Sequence, residues 1–261
     1  MNVSRRLFLA APLVSSASLA QPRSPFTNVR APGSYPRHLQ GVCTNERDAI
    51  YWSFTDVLVK TDAKGNLLKQ TPGPNHLGDL CYDGGKIYVA VNLGLFNDAE
   101  KRADSWVYVY DANDLSLLSK HKTPEAVYGA GGIAVHGNRF MVVGGLPKGF
   151  DENYVFEYNR EFQFVRKHVL RSGYTLLGIQ TAAFSDGQWW FGCYGKPAIL
   201  LKANERLSSV QRFEFDCSIG IVPIARRTFL VARGSCAKET GCGAELVVAA
   251  ADPSKGLAVR G

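Results

Sequence analysis

The sequence predicts an all-β fold, a five-bladed β-propeller with four antiparallel strands per blade, and two observations carry this prediction. Five alternating apolar runs end on Asp or Asn and are followed by a short polar turn; these residues are Asp62, Asp111, Asn159, Asn204 and Asp252. Their spacing of 45 to 49 residues is typical of a propeller blade. In addition, no stretch after residue 20 keeps a 3.6-residue apolar period over about twelve residues, so helices are not expected.

Each repeat divides into four short strands. A Gly-rich apolar start precedes an aromatic, β-branched strand, then the run that ends on Asp or Asn, then a last strand after the turn. Asp and Asn suit the turn because their side chains bond the backbone two residues on. The predicted blades are 38–76, 77–128, 129–177, 178–216 and 217–261, and the second strand of the last is predicted at Phe229–Ala232. Insertions at 92–105 and 145–153 are expected to lie over one face.

The N-terminus has the parts of a bacterial signal peptide. Ser4-Arg5-Arg6-Leu7-Phe8-Leu9 resembles a twin-arginine export signal, an apolar stretch follows to Val14, and Ser18-Leu19-Ala20 is a small-x-small cleavage site. We therefore predict a signal peptide over residues 1–20, an N-terminal arm over 21–37, one propeller domain over 38–261, and a periplasmic or secreted location. The alternative is an amphipathic N-terminal helix of the mature fold.

Composition excludes several classes of protein. With 46% hydrophobic residues the chain is not intrinsically disordered. The net charge of +7 comes from 30 basic and 23 acidic residues spread along the chain, so it indicates a solvated surface rather than a nucleic-acid interface. No later segment has the 18 or more apolar residues of a spanning helix. We expect a monomer that does not bind nucleic acid and has no membrane span.

Six cysteines are present: Cys43, Cys81, Cys193, Cys217, Cys236 and Cys242. An oxidising compartment permits disulfides, and Cys236 and Cys242 flank the short polar segment Ala-Lys-Glu-Thr-Gly, which a disulfide between them would pin. No Cys-x-x-Cys occurs and no His lies at zinc-finger spacing from a Cys, so a structural zinc site is not expected.

Polar residues open the innermost predicted strands, which run beside the axis of a propeller, so we expect them to face a common axial mouth. His38 and His76 hold equivalent positions in blades one and two, and with Asp79 they form the candidate catalytic set. Candidate binding residues at or around this mouth are Gln40, Gln180, Thr181, Tyr174, Tyr194 and Arg233. The tyrosines are either packing residues between blades or the rim of a carbohydrate or apolar ligand site.

The blade pattern, together with short motifs, resembles the plant and bacterial glutaminyl cyclotransferases. His38-Leu39-Gln40-Gly41 is similar to the family's aromatic-Thr-Gln-Gly stretch, Gly78-Asp79-Leu80 to its Gly-Glu-Gly, and Gln180-Thr181 to its Asn-Glu; Arg233 stands at or near its basic residue in blade five. The resemblance implies a proton shuttle at Asp79, with Gln40, Gln180 and Arg233 orienting the substrate and stabilising the developing oxyanion.

Two functions of different classes follow from the sequence. The first is an enzyme acting on a small polar ligand at the axial mouth, either cyclotransferase-like or a hydrolase or lyase with His38 or His76 as general base. The second is a non-catalytic periplasmic propeller that binds a small polar molecule or a carbohydrate. The cofactor is left open: His38, His76 and Asp79 could form a two-His-one-carboxylate site for a divalent metal, an alternative that the sequence does not favour.

Overall fold

The computed structural model describes residues 24–260, which form five antiparallel sheets, each containing four strands in sequence order. This confirms the predicted five-bladed propeller. Blade one comprises β2 (Leu39–Thr44), β3 (Ala49–Phe54), β4 (Val57–Asp62) and β5 (Leu67–Pro72). Blade two comprises β6 (Leu77–Asp83), β7 (Lys86–Asn92), β8 (Ser105–Asp111) and β9 (Leu117–Lys122). The predicted signal peptide lies outside the described residues.

Blades three and four repeat this order. Blade three comprises β10 (Ala130–His136), β11 (Arg139–Gly144), β12 (Asn153–Tyr158) and β13 (Phe164–Leu170). Blade four comprises β14 (Leu176–Ser185), β15 (Gln188–Tyr194), β16 (Ile199–Asn204) and β17 (Val210–Glu214). The two insertions lie where the sequence predicts them, between β7 and β8 and between β11 and β12. No helix long and apolar enough to cross a membrane occurs among residues 24–260.

Blade five has an additional strand from the N-terminal side of the chain. It comprises β18 (Ile221–Ala225), β19 (Thr228–Ala237), β20 (Gly241–Asp252) and β21 (Gly256–Val259), and β1 (Val29–Arg30) joins it. Both β1 and β21 pair with β20, at Glu245–Leu246 and Ala249–Asp252 respectively. The segment that contains β1 then bonds the backbone of Cys242 through Tyr35. Residues 29–35 therefore run along the outer edge of this sheet.

The turns between third and fourth strands form as the sequence predicts. In each blade the Oδ1 atom of the Asp or Asn at the end of the third strand, or directly after it in blade three, accepts a backbone N–H within the turn. The donors are Lys64 for Asp62, Asn113 for Asp111, Glu161 for Asn159, Ser208 for Asn204 and Ser254 for Asp252, at 2.7 to 3.1 Å. The repeat seen in the sequence is thus a repeat of one local hydrogen-bonded structure.

The apolar core lies between neighbouring blades rather than at one central point. One cluster joins Trp52 and Phe54 of blade one to Leu230 of blade five, and another joins Val143 of blade three to Trp189 of blade four. All of these side chains are buried. Because each sheet buries both faces against its neighbours, closure of the ring contributes to the stability of every blade.

One disulfide joins Cys236 to Cys242 at directly opposed positions of β19 and β20, as the cysteine spacing indicates. The bond lies in the part of the hairpin that extends beyond the inner strand β18, since β18 pairs β19 only as far as Val231. The other four cysteines are buried and free. The exposed hairpin end therefore depends on the disulfide and on its contacts with the N-terminal segment for its conformation.

Candidate functional site

The starts of the inner strands of blades one to four approach one another so closely that they close the axis. A Cβ atom added to Gly41 would lie 2.4 Å from Asp79 Cα, and one added to Gly78 would lie 2.3 Å from the carbonyl oxygen of Gly131. These positions therefore require glycine for close approach of backbone to backbone. The contacts separate a mouth at one end of the axis from a small cavity at the other.

Asp79 fills the closed part of the axis. Its side chain is buried, its Oδ2 atom accepts the Ala182 N–H of blade four at 3.0 Å, and its Oδ1 atom is without a hydrogen-bond partner in residues 24–260. Burial raises the pKa of this carboxyl well above its usual range, although the backbone amides of Ala182, Leu80 and Val42 oppose the shift. Burial therefore favours the protonated form of Asp79, and its Oδ2 atom connects blades two and four.

Two predicted catalytic histidines meet at the mouth around one amide. Gln40 Nε2 lies 2.9 Å from His38 Nε2, 2.8 Å from His76 Nε2 and 3.3 Å from Thr55 Oγ1. The two hydrogens of this amide nitrogen suffice for the two imidazoles; in this arrangement each Nε2 accepts, and a neutral ring carries its proton on Nδ1.

Electrostatics favour the same protonation state. Partial burial of the His38 ring lowers its pKa, and the charge of Arg37 lowers it further. Burial also lowers the pKa of His76, with smaller contributions from His38 and Arg37. The His76 Nδ1 atom is buried and, within the described part of the chain, has no hydrogen-bond partner. The pair is thus neutral near pH 7, and the Nε2 lone pair of each ring is engaged by the Gln40 amide.

The three candidate metal ligands do not converge. His38 and His76 share Gln40, whereas the Asp79 side chain accepts from the backbone of blade four. Residues 24–260 contain no group of three or more His, Cys, Asp or Glu side chains arranged to hold a metal ion. The two imidazoles therefore contact the Gln40 amide and not the Asp79 side chain.

A cavity of about 830 Å³ lies at the mouth, over blades one, four and five. We call it the mouth cavity. It is lined by His38, Leu39, Tyr194, Glu214, Phe215, Asp216, Ser218, Ile219 and residues 233–236. Three sequence-predicted site residues, His38, Tyr194 and Arg233, therefore line one space. Gln40 adjoins it through its contact with His38, and His76 adjoins it through Gln40.

The insertions cover the other side of the mouth. Phe96, from the insertion of blade two, stacks on His76 with ring centroids 6.0 Å apart, and Phe150, from that of blade three, contacts Tyr128 at 5.4 Å. Phe96 also lies against Gly129, where an added Cβ atom would be 2.4 Å from its ring. The prediction that both insertions lie over one face is confirmed, and the open part of the mouth faces blades four, five and one.

The remaining predicted residues have other surroundings. Gln180 is buried and its Nε2 atom donates to the Leu177 carbonyl at 2.6 Å, while Thr181 is buried and donates to the Cys217 carbonyl at 2.8 Å. Both side chains therefore bond backbone beneath the mouth. Tyr174 lines a separate groove beside Leu176. None of these three residues borders the mouth cavity.

Charged residues that the sequence-based site does not include complete the mouth cavity. Glu214 ends β17, and Asp216 lies on the link into blade five, where its Oδ1 atom accepts the N–H and the hydroxyl of Ser218 at 3.0 and 2.7 Å. Both acids are exposed. Burial, followed by the Asp216 charge, raises the pKa of Tyr194, so its hydroxyl is a neutral donor. In the sequence, Glu214 and Asp216 alternate with aromatic residues in Phe213-Glu214-Phe215-Asp216, just before the inner strand of blade five. This pattern was the available signal for the two acids.

Comparisons with known proteins support the fold. No family model matches the chain, and no curated protein matches its sequence. Among solved structures, the chain is similar to Myxococcus xanthus glutaminyl cyclase, with a TM-score of 0.58 and 10% identity over 87% of this chain and 100% of that one. It is also similar to a structure of a nidogen/laminin complex (TM-score 0.54, 11% identity, 83% and 76% covered). The WD40 repeats of RRP9 give a TM-score of 0.52 at 12% identity, with 92% and 70% covered. The chain is thus a five-bladed β-propeller that resembles a bacterial glutaminyl cyclase in fold.

Proposed function

We propose that the mouth cavity binds a small polar ligand that carries an amine next to a carbonyl group, as the amino terminus of a peptide does. One observation carries this proposal: opposite charges border the cavity without neutralising one another. Glu214, Asp216 and Arg233 all line it, and none of them forms an ion pair with another residue of the described chain. Separated charges of both signs in a concave site match an amine and a carbonyl oxygen on one ligand.

The surrounding groups suit such a ligand. Ser218 uses only one Asp216 oxygen, so Oδ2 remains able to accept from an amine. Arg233 and the neutral Tyr194 hydroxyl can donate to a carbonyl oxygen. His38, neutral through its contact with Gln40, adds no positive charge that would repel the amine. The two carboxylates and one guanidinium give the cavity a net negative charge, which favours a cationic group.

The proposed location is the periplasm. The twin-arginine-type sequence at Ser4–Leu9 supports it, and so does the Cys236–Cys242 disulfide, since disulfides persist in oxidising compartments. A disulfide at the wall of the cavity is consistent with a protein that acts outside the cytoplasm.

The binding proposal predicts the result of calorimetric titration with glutaminyl-glycyl-glycine amide. The wild-type protein should bind this peptide, and Asp216→Asn should weaken binding by about tenfold or more, because a charge-assisted hydrogen bond to the amine is lost. N-acetylation of the peptide should have a similar effect. Glu161→Gln, which removes an exposed acid at a turn of blade three, serves as the matched control and should leave the affinity unchanged.

Two outcomes would contradict this proposal. Equal affinity for the free and the acetylated peptide would exclude recognition of the amine. Binding of the neutral sugar maltotriose in place of the peptide would instead support the carbohydrate-binding alternative, with Tyr194 as the stacking residue.

A second candidate function is catalysis, and the neutral histidine pair at the mouth favours it. His38 is exposed to the cavity, and its lowered pKa keeps it neutral at pH 7, so release of the Gln40 amide would free its Nε2 lone pair to act as a base. In a cyclotransferase reaction the α-amine of an amino-terminal glutamine would attack the side-chain amide carbon, the base would take the amine proton, and ammonia would leave with that proton. The fold likeness to a glutaminyl cyclase is consistent with this reaction.

Ammonia release from an amino-terminal glutaminyl peptide tests the catalytic candidate. We expect His38→Ala to reduce turnover by about a hundredfold or more if His38 is the base, and Asp79→Asn to retain it, since Asp79 is 1% exposed and does not border the cavity. The opposite pattern would assign the proton shuttle to Asp79, as the family resemblance implies. If the peptide binds but no ammonia is released, the catalytic candidate is rejected and the binding proposal remains.

A further inference from the structure

A second groove adjoins the mouth cavity on blade four. It has a volume of about 730 Å³ and its walls include Tyr174, Leu176, Pro197, Ile199, Phe213 and Glu214. We call it the side groove. Glu214 lines both spaces, and Leu176 pairs directly with Tyr194 of the mouth cavity across β14 and β15. A ligand held at the mouth can therefore extend into the side groove past Glu214.

Apolar side chains form much of the side groove. Five of its nine lining residues are the apolar or aromatic ones named above, while Lys196, Arg212 and Glu214 are charged. Leu176 is 43% exposed there, which is a large apolar side chain open to water beside a polar site. Burying such surface against an apolar ligand group is favourable.

The side groove is also preformed. Arg212 donates from Nη1 to the carbonyl oxygens of Ser172 and Tyr174, at 3.0 and 2.9 Å. These bonds hold the segment that carries Tyr174 against β17, on which Arg212 lies. The aromatic wall is thus fixed by hydrogen bonds before any ligand binds, which lowers the entropy cost of binding.

We propose that the side groove binds an apolar side chain located one or two residues after the amino terminus of a peptide. This rests on the proposed function, since it requires the peptide amine to be held by Glu214 and Asp216. Successive residues of an extended peptide are about 3.3–3.6 Å apart, and the two spaces share Glu214, so the residues directly after the amino terminus are the ones nearest to the side groove. The proposed ligand is therefore a peptide that has a free amino terminus and an apolar residue one or two positions after it.

Calorimetry with three tripeptide amides tests this: Gln-Gly-Gly, Gln-Phe-Gly and Gln-Gly-Phe. The wild-type protein should bind one of the Phe peptides about tenfold tighter than Gln-Gly-Gly. Leu176→Ser should reduce this preference to less than about threefold while leaving the affinity for Gln-Gly-Gly unchanged. Leu117→Ser on blade two, where the leucine is 45% exposed, is the matched control and should keep the full preference.

The outcomes separate the two proposals. Equal affinity of the wild-type protein for all three peptides would overturn the side-groove proposal and leave the mouth proposal standing. A preference for Phe that Leu176→Ser does not change would also overturn it. Failure of all three peptides to bind would overturn the proposed function and, with it, the side-groove proposal.

Discussion

Gly78→Ala is expected to destabilise the propeller by about 3 kcal/mol or more, or to prevent folding. The new Cβ atom would lie 2.3 Å from the Gly131 carbonyl oxygen and 2.9 Å from its carbon, so the contact is with backbone and no side chain can move away. Relief would require the inner strands of blades two and three to separate. Urea unfolding followed by tryptophan fluorescence gives the free energy of unfolding.

Gly243→Ala is the matched control for this experiment. Gly243 is also a strand residue, in β20, but nothing lies within 4 Å of an added Cβ atom. Its substitution should change the free energy of unfolding by no more than about 0.5 kcal/mol. If Gly78→Ala were as well tolerated as Gly243→Ala, the inner strands would not approach as closely as the structure shows.

Asp79→Asn should remove a fall in stability with rising pH. Because burial raises the pKa of Asp79 in the folded protein, the folded state keeps this proton at pH values where the unfolded chain, with an ordinary pKa of 3.8, has lost it. The folded state then binds more protons, so stability falls as pH rises from the unfolded pKa to the folded one. Each unit of difference costs about 1.4 kcal/mol.

Free energies of unfolding measured from pH 4 to pH 8 check this prediction. The difference between wild type and Asp79→Asn should change steadily in favour of the variant as pH rises, since asparagine does not titrate. A wild-type protein that lost no stability relative to Asp79→Asn would show that Asp79 is ionised in the fold.

The fold was predictable because the repeated signal is local. Each Asp or Asn at the end of a third strand forms its turn through backbone atoms within five residues, so the pattern appears in the sequence without tertiary information. Blade five shows the limit. Its second strand was predicted to end at Ala232, whereas β19 continues to Ala237. The extension is exposed on both faces, so it lacks the apolar alternation that marks a half-buried strand.

The candidate site was predictable in part. Equivalent positions in the repeat placed His38 and His76 together, and the structure joins them through Gln40. The depth of Asp79 was not predictable, because the register of β6 against β7 shifts between Leu77 and Leu80. Such an irregularity changes which side chains face the mouth, and it leaves no periodic signal in a single sequence.

Glu214 and Asp216 show a different limit. They lie outside the inner strands, on the end of β17 and the link that follows, so a search restricted to inner-strand openings gives them little weight. They reach the mouth cavity only because blade four packs beside blade five. Contacts of this kind depend on ring closure, which the spacing of repeats does not describe.

Amide chemical shifts recorded while glutaminyl-glycyl-glycine amide is added to the full protein test the binding proposal most directly. Ligand-dependent shifts should concentrate at the mouth cavity, at His38, Tyr194, Ser218 and Gly234, and Asp216→Asn should need about tenfold more peptide for the same change. The contradicting result is the absence of shifts at millimolar peptide, or shifts centred on the opposite end of the axis, at Thr44, Tyr82 and Phe184.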